Sequence, residues 1–226
     1  MWAPHRDLIF SDHYFVSLPK LEHWKKQVLS NSAMGLGASF ILVFLSLFRV
    51  VILGRELEIE EYGDVIIALN FFQIILLFLR PGISDLLYRF LSDSEQKKSN
   101  EFASSLITFS LYLSLACAFV IGGLILGIGK WLAASFYETR EIYVLLVVLL
   151  PVYLIDQFSE SGSTLLRIRD KFAFVVFPPV LGTFLSLCWI WHAKSSGTLN
   201  AYHAVMAIGA GQLFASVFIQ FTAILI

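Results

Sequence analysis

Long apolar segments alternate with short polar connections along the whole chain. A membrane-spanning helix needs about 20 consecutive, mostly apolar residues. Six segments reach this length, at roughly 32–54, 64–90, 102–129, 142–166, 172–192 and 203–226. The pattern therefore predicts an all-α, polytopic membrane protein with about six transmembrane helices.

Prolines interrupt two of these predicted helices, and a third carries a glycine motif. Pro81 in "LRPGIS" and the "FPPV" segment at 177–180 predict kinks, because proline removes a backbone donor and clashes with the preceding turn. Such kinks are tolerated in membrane helices, and broken helices also occur where a transporter holds its cavity, so both readings stay open. Gly123 and Gly127 form a GxxxG motif, which is typical of close helix packing.

The two ends of the chain differ in character. Residues 1–30 are polar and aromatic, and Leu21, Trp24 and Val28 recur there at helical spacing. This suits either a short helix on the membrane surface or a frayed cytosolic tail. The segment lacks the features of a cleavable signal peptide, so we expect the first transmembrane helix to direct insertion. We expect residues 31–226 to form a six-helix lobe that is truncated at its C-terminus, because the chain stops inside an apolar segment.

Composition agrees with a membrane protein. The 226 residues are 58% hydrophobic and 15% charged, whereas soluble domains are about 45–50% apolar and about 25% charged. The mean hydropathy is +0.76. The net charge of −1 decides nothing by itself, because the distribution of the charges sets the topology.

Basic residues concentrate in alternate connections. The N-terminal segment, the 80–101 connection and "LRIRDK" at 166–171 hold eleven lysines and arginines, and the other connections hold four. Since cytoplasmic loops carry the excess of basic residues, this bias predicts a cytoplasmic N-terminus. The turn "GRELEIEEYGDV" (54–65) then faces the exterior, where its acids are expected to be solvated and to complement the start of the second helix.

The sequence lacks the motifs of common catalytic and metal sites. It contains no HExxH, GxSxG, CxxC or Gly-Lys-Ser/Thr phosphate loop. Cys117 and Cys188 lie inside apolar segments, which favours core residues over a disulfide framework. The five histidines show no ligand spacing, and the basic clusters lack an aromatic nucleic-acid pattern. We therefore expect no enzyme, catalytic residue, metal, cofactor or nucleic-acid partner.

Polar residues on the predicted helices fall on single faces at 100° per residue. A charge at mid-bilayer costs at least about 2.5 kcal/mol, so such residues face the bundle or water. The faces predict either a shared hydrated cavity or a tight bundle with interhelical hydrogen bonds. The faces carry Gly35, Ser39, Ser46 and Arg49; Asn70, Gln73, Arg80 and Ser84; Ser105, Thr108 and Tyr112; Asp156, Glu160, Ser163 and Arg167; and Gly209, Gln212, Ser216 and Gln220. The candidate cavity residues are Arg49, Asn70, Gln73, Arg80, Asp156 and Glu160.

The segment 46–96 carries an ordered set of features. The first helix ends in Leu53-Gly54, an acidic turn closes in Glu60-Glu61-Tyr62-Gly63, and the second helix has Gly82 near its end, before Tyr88-Arg89-Phe90. This order resembles the N-terminal region of the oligosaccharide and polysaccharide flippases, within the superfamily of multidrug, oligosaccharidyl-lipid and polysaccharide exporters. The signature residues are Gly54, Glu61, Tyr62, Gly63 and Gly82. The chain departs from the family pattern at Arg55, where proline is frequent.

The resemblance implies a flippase of the bacterial cytoplasmic membrane. Its substrate would be a lipid-linked oligosaccharide, such as an undecaprenyl-diphosphate-linked repeat unit for lipopolysaccharide O-antigen. The implied fold has two six-helix lobes that face each other across a cavity with alternating access, and this chain would supply the first lobe. Membrane lipids and polysaccharide assembly proteins are the other implied partners.

The resemblance also gives roles to the charged candidates. A diphosphate head group attracts arginine, so Arg49 and then Arg80 would bind it, unless Arg49 only reaches out to the membrane surface. Asp156 and Glu160 would pair with these arginines or carry a coupled proton or ion. A cation-coupled drug or metabolite antiporter, a membrane enzyme and a non-transporting subunit or remnant are the alternatives.

Overall fold

The described residues of the computed structural model are 18–79, 100–127, 129–136 and 140–225. These ranges form helices and short turns and contain no strand. The all-α prediction is therefore confirmed. The helices are α1 (Leu18–Glu56), α2 (Ile59–Leu79), α3 (Asn100–Gly127), α4 (Gly129–Phe136), α5 (Arg140–Ile168), α6 (Ala173–Ser195) and α7 (Ala201–Leu225).

Most of these helices can cross a membrane. Within the described ranges, five segments are long and apolar enough, namely Val28–Glu56, Thr108–Trp131, Ile142–Ile168, Ala173–Ser195 and Ala201–Leu225. They match the first, third, fourth, fifth and sixth predicted helices. The second is represented by α2, and its remainder, with Pro81, lies outside the described residues. The chain is a multi-pass membrane protein.

The boundaries differ from the sequence prediction at two places. α1 begins at Leu18, so residues 18–30 continue directly into the first membrane span; residues 1–17 lie outside the described part. Residues Gly129–Phe136 are also helical (α4), where the sequence pattern predicted only a connection.

Prolines lie inside two helices without ending them. α5 contains Pro151, and α6 runs through Pro178 and Pro179. Each proline removes one i→i−4 backbone hydrogen bond, a loss that packing against neighbouring membrane helices can offset. α6 instead ends at the Ser196–Gly197 turn, where Gly197 adopts a φ of 67° that favours glycine.

α7 is the centre of the bundle and packs most extensively against α5 and α6. Small residues allow α7 to pack closely against α5 and α6, as in many membrane helix interfaces. α6 and α7 meet backbone to backbone at Gly182 and Gly211: a Cβ on either glycine would overlap the carbonyl oxygen of the other. α5 and α7 approach where a Cβ on Gly209 would lie 3.1 Å from Cγ2 of Val152.

α5 and α7 run parallel. Val152 lies beside Gly209, and ten residues further along α5 a Cβ on Gly162 would lie 2.6 Å from Oε1 of Gln220. Both helices therefore run in the same direction along their interface. Parallel packing is required of the fourth and sixth spans of a chain that reverses at every connection.

α1 and α6 also run parallel and touch at two levels. Near the middle of α1 and the start of α6, a Cβ on Gly35 would lie 3.3 Å from the Phe172 ring. At their ends, Lys194 Nζ lies 2.8 Å from Glu56 Oε1, and the same ammonium lies 5.3 Å from the centre of the Trp191 ring. The first and fifth spans thus share a direction, as alternation requires.

Two apolar clusters occupy different levels of the bundle. The larger one surrounds the α1–α2 turn and includes Leu53, Val65, Phe72 and Ile190. The smaller one consists of Leu166, Val175, Ile219 and Ala223, towards the α5–α6 turn. The segments between these clusters carry most of the buried polar side chains of α5, α6 and α7.

Candidate functional site

A polar cavity of about 390 Å³ lies between α1, α2, α5, α6 and α7. It occupies the level between the two apolar clusters, close to the middle of the spans of α5, α6 and α7. Its lining contains the polar side chains of Arg49, Gln73, Tyr153, Asp156, Ser159, Thr183, Ser186, Gln212 and Ser216. A hydrated cavity is the setting in which membrane helices tolerate ionisable groups.

Arg49 brings a cation to this cavity from α1. It lies in the second half of the first span, two turns before the helix ends at Glu56, and is half-buried. The guanidinium presents five N–H donors in a planar fork, which matches phosphate and carboxylate oxygens. The structure thus places Arg49 where an anion inside the cavity would meet it.

Asp156 is the acidic residue in the lining, and hydrogen bonds fix its position. Ser216 Oγ on α7 donates to Asp156 Oδ1 at 2.8 Å. Ser159 Oγ lies 3.4 Å from the same oxygen and 2.8 Å from the Asp156 carbonyl oxygen. The carboxylate therefore links α5 to α7 at the wall of the cavity.

Tyr153 forms the part of the wall beside Arg49 and Asp156. Its ring is almost fully buried and stacks on Phe72 of α2, with centroids 4.0 Å apart and planes 8° from parallel. Stacking fixes the ring between α2 and α5. The phenol consequently contributes to the cavity from a rigid position.

Three of the predicted cavity residues come together in this lining, namely Arg49, Gln73 and Asp156. Asn70 is exposed and Glu160 is half-buried, and neither belongs to the lining. Glu160 lies one turn beyond Asp156, towards the level where α5 and α7 close together at Gly162. Arg80 lies outside the described residues. Any function of Asn70, Glu160 and Arg80 stays a prediction.

The sequence reasoning missed the contribution of α6. Thr183 and Ser186 line the cavity, yet no polar face was predicted for the fifth helix. Thr183 Oγ1 donates to the Pro179 carbonyl at 2.9 Å, and Ser186 Oγ donates to the Thr183 carbonyl at 2.8 Å. The spacing of Pro179, Gly182, Thr183 and Ser186, at i, i+3, i+4 and i+7, is the signal that could have identified this face.

The signature residues lie at the α1–α2 turn, away from the cavity lining. A Cβ on Gly54 would lie 3.8 Å from the Tyr62 ring, and Gly63 faces open space. Glu60 and Glu61 occupy the first turn of α2, where carboxylates complement the helix dipole. Gly82 lies outside the described residues. Among the described residues, no group of three His, Cys, Asp or Glu could hold a metal ion.

The fold and cavity define a class of protein: a multi-pass helical membrane protein with a charged, polar site near the middle of its spans. A family model described as polysaccharide biosynthesis protein matches residues 52–224. The match covers more than half of the chain, from three residues after Arg49 to the end of α7. The chain belongs to the polysaccharide biosynthesis protein family, which supports a role in polysaccharide biosynthesis or export. Searches of curated proteins and of solved structures found no match.

Proposed function

We propose that the protein is a flippase that moves lipid-linked oligosaccharide units across the membrane during cell-surface polysaccharide biosynthesis. The observation that carries the proposal is the position of Arg49 in a polar cavity between the spans of a family member. The proposed reaction changes location and no covalent bond, so the protein would act as a transporter and not as an enzyme.

The cavity offers separate groups to the two polar parts of such a substrate. A diphosphate is anionic, and the Arg49 fork can bind two of its oxygens at once. The amides of Gln73 and Gln212 can donate to and accept from sugar hydroxyls. Arg49 and the two amides would stabilise the head group in place of water while leaving it able to depart.

The two apolar clusters suggest how transport proceeds. They lie on either side of the cavity along the bundle. In an alternating-access cycle, helices would separate at one cluster while the other stays packed, so the head group would be exposed to one side of the membrane at a time. The six spans of the chain would form one lobe of the transporter, and a second lobe would face it.

Replacement of Arg49 tests this proposal. Arg49→Ala should reduce surface polysaccharide by about 10- to 100-fold, since a charge-assisted hydrogen bond contributes about 1.5–3 kcal/mol. The measurement compares surface polysaccharide and intracellular lipid-linked precursor in cells that depend on the variant. Arg55→Ala is the matched control, because Arg55 is exposed at the end of the same helix. Unchanged export by Arg49→Ala at equal protein level would contradict the proposal.

Asp156 favours one alternative, a cation-coupled drug or metabolite antiporter. A carboxylate in the cavity wall could bind a cationic substrate or a coupling cation. The antiporter would lose efflux of cationic compounds in Asp156→Asn, whereas surface polysaccharide would not depend on Arg49. Measuring both outputs for the two variants separates the functions.

A further inference from the structure

An apolar groove of about 420 Å³ lies between α1 and α6. We call it the α1–α6 groove. Phe44, Phe48 and Ile52 of α1 line it, and Phe184, Cys188 and Trp191 of α6 line the facing side. These positions recur every three or four residues on each helix, so the groove follows the helices for about 12 Å. Its lining carries no charged side chain.

The groove and the polar cavity lie on different faces of the same two helices. Phe48 lines the groove, and its neighbour Arg49 lines the cavity. On α6, Leu187 lines the groove, and its neighbour Ser186 lines the cavity. The two sites therefore occur at the same level of α1 and α6.

We propose that the α1–α6 groove binds the isoprenoid chain of the lipid whose anionic head group occupies the cavity at Arg49. The inference rests on the proposed function and adds a place for the apolar part of the substrate. The complementarity is that of an amphiphile: Arg49 and polar groups line the cavity, and aromatic and aliphatic side chains line the groove beside it.

The head group explains why the isoprenoid chain of this lipid, and not the tail of another membrane lipid, occupies the groove. Moving a hydrocarbon chain from the bilayer into an apolar groove gains no hydrophobic free energy, because lipid tails are equally apolar. Contacts with the aromatic side chains add only small dispersion terms. A head group held at Arg49 makes the chain's binding intramolecular and raises its effective concentration at the groove. Occupancy therefore requires both parts on one molecule.

Cys188 gives the groove a built-in reporter. Its thiol is free and lies in the groove, within the fifth span, so a bound chain should slow its alkylation by a membrane-permeant maleimide such as N-ethylmaleimide. The test uses the full chain carrying Cys117→Ser in phosphatidylcholine nanodiscs, with undecaprenyl diphosphate as the probe. We expect alkylation to slow several-fold with this lipid, and to remain unchanged with inorganic diphosphate or phosphatidylglycerol. Arg49→Ala should remove the protection.

Variants of the groove locate the chain. Phe48→Ala and Phe184→Ala should weaken the protection several-fold, and both side chains are more than half exposed, so the fold should persist. Phe221→Ala is the matched control, because Phe221 is similarly exposed on α7, outside the groove.

Retention of radiolabelled undecaprenyl diphosphate, measured in parallel, separates the inference from the proposed function. Retention that depends on Arg49 but leaves Cys188 alkylation unchanged would place the chain elsewhere, which overturns the inference and keeps the flippase. Equal protection by phosphatidylglycerol would make the groove a general lipid site and also overturn the inference. Failure to retain the lipid would overturn both.

Discussion

Single residues in the cavity wall hold neighbouring helices together. The hydrogen bond from Ser216 to Asp156 joins α7 to α5 at 2.8 Å. Ser163 also donates a hydrogen bond, but to the Glu160 carbonyl of its own helix. The first bond constrains the spacing of two helices, and the second constrains only one turn of α5.

Ser216→Ala should therefore destabilise the bundle more than Ser163→Ala does. We expect a loss of about 1–2 kcal/mol in the free energy of unfolding for Ser216→Ala, because an interhelical donor to a carboxylate is removed. Unfolding of the purified protein by SDS titration in mixed micelles measures both variants. Equal effects would show that the link between α5 and α7 contributes nothing beyond a local hydrogen bond.

The charged and amide residues of the site could be predicted from the sequence, whereas the hydroxyl residues of α6 were missed. Arg49 and Asp156 interrupt apolar segments, and their cost in lipid requires an inward or hydrated position. Thr183 and Ser186 satisfy their donors on carbonyls of their own helix. Their spacing could indicate a shared face, but such residues are compatible with any surroundings of a membrane helix, and it is the packing of α6 against α7 that assigns this face to the cavity.

At the scale of elements, the closest approach between helices depends on glycine. Gly182 and Gly211 bring the backbones of α6 and α7 into contact. The sequence suggested a different pair, Gly123 and Gly127, but a Cβ on either of these meets no atom of the described residues within 4 Å. A local motif could not reveal the real contact, because its two glycines lie on different helices.

Gly182→Ala should separate α6 from α7. An added methyl group would overlap the Gly211 carbonyl, and overpacking of this kind costs about 1–3 kcal/mol. Thermal unfolding in detergent should show a lower Tm for Gly182→Ala. Gly123→Ala serves as the control, since its methyl group would meet no atom among residues 18–79, 100–127, 129–136 and 140–225 within 4 Å. An unchanged Tm for Gly182→Ala would mean that the two backbones are further apart than described.

At the scale of the whole molecule, helix direction connects the structure to the charge pattern. The Glu56–Lys194 ion pair puts the ends of α1 and α6 on one side of the bundle. The end of α5 and the α5–α6 turn lie on the opposite side of the bundle. They carry Arg167, Arg169 and Lys171. The spans could be predicted because apolar length is a local property, whereas the order in which they pack is not.

Single cysteines introduced at the turns test this topology. In a chain carrying Cys117→Ser and Cys188→Ser, Glu58→Cys and Ser196→Cys should react with a membrane-impermeant maleimide from the same side, and Arg169→Cys from the other. All three positions are exposed. The basic-residue bias predicts that the first two face the exterior of the cell. Labelling of Glu58→Cys and Ser196→Cys from different sides would contradict the parallel arrangement of α1 and α6.

The contact between Gly182 and Gly211 also sets the size of the site. Both glycines line the cavity and both hold α6 against α7, so one pair of backbone segments determines the width of the cavity and the cohesion of the helices around it. A side chain added at either position would enlarge the distance between these helices and loosen the bundle in the same step. The main chain thus sets the width of the cavity, and this width is coupled directly to stability. The polar side chains give the cavity its chemistry but do not set its width.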